Sequence, residues 1–236
     1  MSHAEMIAFE PVGNASLSDQ IFHQLRDQLM SGQLLPHQRL RIRELAASLG
    51  TSETPVREAV FQLVRDGALE LKARHYIRVR GLTLPEYLEN RDIRLLLEPM
   101  AGERALAHIT ASEIERLATI HRQLIEAEQT GAWREAITAN YAFHIGLYRH
   151  SQLPHLIEVL ERLWLRLGPM LNHLYPHGHP RYAGRHQHEN ILDALRRQDR
   201  ADLSASIRED MLEGGRGFLS RLEALTKDGK LTPTGE

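Results

Sequence analysis

Apolar residues recur three and four positions apart along most of this chain, a helical period broken by short polar interruptions. Leu17, Ile21, Leu25 and Leu29 form one stripe, which predicts a first helix over Leu17–Met30, capped by Ser16 or Ser18 and closed by Ser31 and Gly32. Pro36 prevents quick resumption. Ile42, Leu45, Ala46 and Leu49 mark a second short helix. Val56, Val60, Leu63 and Val64 mark a third within residues 51–67. Gly50 turns the chain between them, Thr51 or Ser52 can cap the third helix, Pro55 falls in its first turn, and Gly67 offers a stop. The period then changes to two. Leu69 and Leu71, and after them Ile77 and Val79, alternate with polar neighbours and predict a hairpin with Arg74 and His75 at its tip.

From Leu82 onward the pattern predicts only helices. Thr83 caps a long one to about residue 108, with Pro85 and Glu86 in its first turn; others come at about 111–129, 132–150, 154–175, 181–197 and 200–225. Leu156, Ile157, Leu160, Leu163, Trp164 and Leu167 make one broad apolar face that reads as packed core. Six helices with short connections make a bundle, so the fold class is mainly α. Residues 1–15 show no period and read as a flexible arm; 227–236 read as a polar tail.

Two short helices joined by a turn containing Gly, the second opening with hydroxyls and an Arg, form the helix-turn-helix pattern of DNA readers. Charge supports this. From Arg39 to Arg80 there are nine Lys or Arg against five Asp or Glu, a balance of +4 in a chain whose total is −2. A positive module on an acidic body suits phosphate binding. Cysteine is absent, which excludes disulfides and thiolate metal sites. No apolar run approaches the roughly 18 residues that span a bilayer, and MSHAEMIAFE lacks the pattern of a secretion signal. A cytoplasmic protein is the simplest expectation.

These residues carry a family resemblance. Residues 17–80 resemble the N-terminal winged helix of GntR-family transcription regulators through LRDQLMSGQLLP, RLRIRELAASLG and TPVREAVFQLVRDGAL. The rest of the chain, beyond the hairpin, resembles the all-helical (FCD) effector domain of the FadR-type subfamily. The implied organisation is a winged helix-turn-helix domain over 16–81 and an effector-binding and dimerisation domain over 82–226. The resemblance also implies a homodimer on a double-stranded, palindromic operator, with Arg41, Arg43, Thr54 and Arg57 contacting DNA and Arg74 and His75 reaching from the wing. Glu53 departs from the pattern, standing where relatives carry a DNA-contacting arginine; a carboxylate there repels phosphate.

The same resemblance implies a second site. Four inward-facing residues on three helices of such domains hold a divalent metal, commonly one Asp and three His. The matching positions are Asn140 and His144 in NYAFHIGLY, His188 in HQHENILDAL and Asp210 in IREDMLEGG. An amide thus replaces the usual carboxylate, and a carboxylate replaces the last histidine, so the ligand charge stays at −1. Zinc, nickel or manganese suits such a set. His186 competes with His188. His173, His177 and His179 read as surface residues. In RDIRLLLEPMAGERALA, Arg94 corresponds to the Arg that faces the cavity, where it would hold a small organic acid, and Glu98 lies one turn on.

The expected function is a ligand-responsive DNA-binding regulator, a repressor, controlled by a small carboxylate effector, and not an enzyme. Two rivals differ in class: a metal-dependent hydrolase with an all-helical active-site domain, and a ligand-independent DNA-binding protein with a structural metal. The hydrolase lacks an obvious general base or nucleophile near the ligands and leaves the reading head unexplained.

Overall fold

Ser16 opens the first helix, α1 (Leu17–Met30), with a reciprocal cap: its hydroxyl accepts from the Asp19 N–H while Asp19 Oδ2 takes the Ser16 N–H at 3.1 Å. The computed structural model describes residues 16–72, 76–175 and 184–231. The expected arm (1–15), Arg74, His75, His177, His179 and residues 232–236 lie outside them. Ile21, Leu25 and Leu29 are buried as the stripe requires, whereas Leu17 at the helix start is exposed. Next in the chain are the helices α2 (Ile42–Ser48) and α3 (Glu53–Arg65), and α3 packs on α1 through Val56, Ala59, Val60 and Leu63. Gly50 holds φ +64° in the turn between α2 and α3, a conformation that costs glycine nothing. Ser52 sits at the cap position of α3 but makes no side-chain cap bond.

The hairpin consists of β2 (Leu69–Lys72) and β3 (Tyr76–Val79), and β3 also pairs antiparallel with a third strand, β1 (Arg39–Leu40), in the order β1-β3-β2. Two residues are too few to show a period, so β1 has no signature in the sequence. Leu69, Ile77 and Val79 face the core, but Leu71, farther out along the hairpin, stays 53% exposed.

The second domain is helical. Helix α4 (Leu84–Ala105) starts on a capping box between Thr83 and Glu86 and contains Pro99. Proline has no N–H, so the carbonyl of Leu95 one turn back loses its helical partner; Arg208 Nη1 donates to it at 2.6 Å. Around α4 lie α5 (Ala111–Thr130), α6 (Trp133–Tyr148), α7 (Pro154–Leu167), α8 (Gln187–Arg197), α9 (Arg200–Glu209) and α10 (Arg216–Lys227). Two expected helices are interrupted. That at 154–175 ends at Leu167 and continues as a 3₁₀ turn over Gly168–His173, where Pro169 removes another N–H and His173 is half-buried rather than on the surface. That at 200–225 is split by a π turn over Asp210–Gly214. The helix expected from 181 is described from Gln187, with His186 as its cap.

The domains pack directly. Arg26 on α1 pairs with Glu161 on α7 at 3.1 Å, and Asn172 Nδ2 donates to Gly32 O at 2.7 Å. Gly168 lies so close to α1 that a Cβ there would stand 2.2 Å from Leu29 O.

Candidate functional site

The start of α3 and the adjoining α2 present Arg41, Arg43, Thr54 and Arg57 to solvent. Arg41 Nη1 pairs with Glu44 Oε1 at 2.7 Å, and Arg43 has no ion-pair partner among the described residues. Arg57 Nη2 lies 3.3 Å from Glu53 Oε2, and both side chains are half exposed. Glu53 therefore holds an arginine of the same exposed face. An exposed i,i+4 pair is worth only a few tenths of a kcal/mol, so it orients Arg57 more than it stabilises α3.

In the helical domain, α4, α6, α7 and the α9–α10 connection surround a cavity of about 80 Å³, counted as space open to the centres of water molecules. That is room for a small molecule. Arg91, Arg94, Asn140, His144 and Asp210 supply polar groups to its wall. Asn140 and His144 lie one turn apart on α6. Asp210 is the first residue of the π turn, whose last residue, Gly214, also lines the cavity together with the adjoining Gly215.

Three buried ligand atoms converge at its edge. His144 Nε2 lies 3.2 Å from Asp210 Oδ2 and 3.2 Å from His188 Nε2, and His188 Nε2 is 3.8 Å from Asp210 Oδ2. A tetrahedral ion with nitrogen and oxygen ligands at about 2.0–2.1 Å requires ligand atoms about 3.3 Å apart. The three atoms fit a divalent cation. Burial holds the His188 pKa well below the ordinary value, with the His144, His186 and His121 rings adding to the effect, so His188 offers a neutral lone pair. Asn140 lines the same cavity and has the carbonyl for a fourth, weaker contact.

The competitor His186 is otherwise engaged. Its Nδ1 accepts from the His188 N–H at 3.1 Å as the cap of α8, which leaves the ring proton on Nε2 and no lone pair for a metal. Burial lowers its pKa to about 4. His121, His186 and His188 form a second histidine cluster, but His186 Nδ1 is taken up as the cap of α8 and none of the three supplies a carboxylate to balance a cation.

Arg94 faces the cavity but not as a solvated surface ion pair. Its Nε donates to Glu98 Oε1 at 2.6 Å, and both side chains are buried. Glu98 Oε1 also accepts from Trp164 Nε1 at 2.9 Å, and Glu98 Oε2 accepts from the Tyr148 hydroxyl at 2.8 Å. The Tyr148 oxygen lies 3.2 Å from His144 Nδ1. Neither Nη of Arg94 has a hydrogen-bond partner among the described residues. The sequence pattern points to Arg94 and Glu98 but not to Tyr148, and it places Trp164 in the core.

Comparisons with known proteins agree with this architecture. Residues 17–79 match the model for bacterial regulatory proteins of the gntR family, and residues 89–212 match the FCD domain. The chain is 32% identical over 200 residues to the HTH-type transcriptional regulator McbR of Escherichia coli (strain K12), covering 84% of this chain and 90% of that protein. It is 30% identical over 180 residues to a protein of Paenarthrobacter nicotinovorans named "Probable D-xylose utilization operon transcriptional repressor", covering 75% and 79%. The solved structure of E. coli McbR/YncC superposes with a TM-score of 0.80 at 30% identity, over 88% of this chain and 99% of that one. These relatives are transcriptional regulators rather than enzymes, and among the described residues no helix is long and apolar enough to cross a membrane. A winged helix matched to one family model and a helical body matched to the other make this chain a member of the GntR family of bacterial transcriptional regulators, with an FCD effector domain.

Proposed function

We propose that this regulator is a repressor whose operator affinity is set by a small carboxylate held in the FCD cavity beside a divalent metal. The observation that carries the reading is the convergence of His144, His188 and Asp210 at 3.2–3.8 Å on the edge of a cavity that Arg94 also lines. A zinc, nickel or manganese ion there would be held by two imidazoles and one carboxylate, with Asn140 contributing its carbonyl, and would supply Lewis-acid attraction for a carboxylate. Arg94, with both Nη groups available, would grip the other end of that anion. Repression is suggested by the Paenarthrobacter relative.

On the DNA side, the N-terminal end of α3 enters the major groove. Arg41, Arg43, Thr54 and Arg57 make the contacts there, and we assign Arg74 and His75 to DNA contact as well. The reading unit is a homodimer. Ile93, Leu96 and Met100 form an exposed apolar stripe on α4, which we assign to the contact between copies.

The test combines metal analysis with DNA binding. Wild type should bind about one divalent ion per chain and His188→Ala should not. In fluorescence-anisotropy titrations on operator DNA, one member of a panel of small mono-, di- and tricarboxylates should shift affinity at least about fivefold. If metal binds and no carboxylate moves the affinity, the metal is structural and the effector reading fails.

A further inference from the structure

We infer that Glu98 and Tyr148 are positioning residues, which hold the His144 ring in the tautomer that presents a bare Nε2 to the cation site. The inference deepens the metal reading and rests on it for its purpose, yet it makes a claim about the metal-free protein that stands or falls alone.

The protons in this chain of hydrogen bonds can be counted. Glu98 is completely buried, and every group that faces it is a donor: the guanidinium of Arg94 at 2.6 Å, the indole N–H of Trp164 at 2.9 Å and the hydroxyl of Tyr148 at 2.8 Å. Neither a guanidinium nor an indole N–H can accept, so this donor set suits an ionised carboxylate. A carboxylate only accepts, so the single proton of Tyr148 is committed to Glu98 Oε2. The oxygen of Tyr148 can then only accept from its remaining neighbour, His144 Nδ1 at 3.2 Å. A neutral His144 ring therefore carries its one proton on Nδ1. Nε2 keeps its lone pair, and it is the atom that lies 3.2 Å from both Asp210 Oδ2 and His188 Nε2.

Metal-bound imidazoles have their second nitrogen fixed by an acceptor, often a carboxylate directly. Here the carboxylate acts through an interposed phenol. The geometry explains why the acid lies on α4: Glu98 reaches α6 through Tyr148 and α7 through Trp164, so one side chain ties three helices to the orientation of one ligand. The cation Arg94 keeps the arrangement near neutrality despite full burial.

The experiment uses the full-length protein labelled with ¹⁵N-histidine. Long-range ¹H–¹⁵N spectra identify the tautomer of each ring, and loss of a signal in His144→Gln assigns His144. Zn²⁺ affinity is measured by calorimetry with a competing chelator. Metal-free wild type should show His144 protonated at Nδ1. Tyr148→Phe should release the ring toward Nε2–H and weaken Zn²⁺ about 10–100-fold. Glu98→Gln leaves volume nearly unchanged and should shift the tautomer in the same direction, so it serves if Tyr148→Phe does not fold. A wild-type His144 protonated at Nε2 overturns the inference, as does a folded variant of either kind with unchanged tautomer and unchanged affinity. Should wild type show the Nδ1–H form and bind no cation, the tautomer claim holds and the metal reading fails.

Discussion

Arg94 sits over the indole of Trp164, its Cζ 4.2 Å from the ring centre, while its Nε reaches Glu98 Oε1. One guanidinium thus neutralises a buried carboxylate, packs on an aromatic ring of α7 and lines the cavity. Removing it would leave Glu98 buried with an uncompensated charge. We expect Arg94→Ala to destabilise the protein by about 3–5 kcal/mol in urea titrations. Arg94→Lys should recover little of this, because an ammonium has neither the plane for stacking nor the fork. A loss below about 1 kcal/mol for Arg94→Ala would mean that water already screens the pair.

The Glu53–Arg57 pair sets an expectation for DNA binding. Arg57→Ala should lower affinity for the native operator by about 1–3 kcal/mol in anisotropy titrations at fixed salt. Glu53→Gln should do the opposite, since it frees Arg57 and removes a charge that repels phosphate. Its affinity should rise, with a steeper dependence on salt. Equal binding by all three proteins would remove α3 from the groove.

Gly168 tests the seam between the domains. A Cβ at this position would fall 2.2 Å from Leu29 O and 2.7 Å from Met30 Cα, both backbone atoms that cannot swing aside. Gly168→Ala should therefore cost about 1–3 kcal/mol of stability and push α1 away from the 3₁₀ turn. Chemical denaturation checks the first effect, and faster amide exchange over 29–32 checks the second.

The same seam carries a pH dependence. His37 holds φ +63° and its ring packs against Gly81; burial lowers its pKa, with Arg78 acting in the same direction. Burial also lowers the pKa of His173, aided by Arg221 and His37. With native values below the unfolded ones, the unfolded chain takes up protons first. Stability should be full above about pH 6.5 and fall as the pH drops below it. Thermal melts between pH 7.5 and 5 should show the loss. His37→Asn, which tolerates the left-handed backbone, should reduce it. An identical pH slope in that variant would assign the effect elsewhere.

Local chemistry was enough for most of the helices, because a helix is specified by neighbours three and four residues away. Ser16 with Asp19 and Thr83 with Glu86 are capping pairs legible from spacing alone, and the burial of Val56, Val60 and Leu63 comes from the same periodicity. The resemblance of two long stretches to known regulators likewise needs no coordinates. The sequence alone could not show β1, whose two residues exist as a strand only by pairing with β3, or the π turn that brings Asp210 to the cavity. The sequence favours His188 over His186 as the proposed ligand only through the family pattern; that His186 Nδ1 caps α8 is visible only in the folded chain. The role of Glu98 is the furthest from local rules. Its donors Tyr148 and Trp164 stand 50 and 66 residues along the chain, and no pattern of period three or four can report a hydrogen bond at that separation. Periodicity places a side chain on a face; only the packing of α4 against α6 and α7 decides what that face meets.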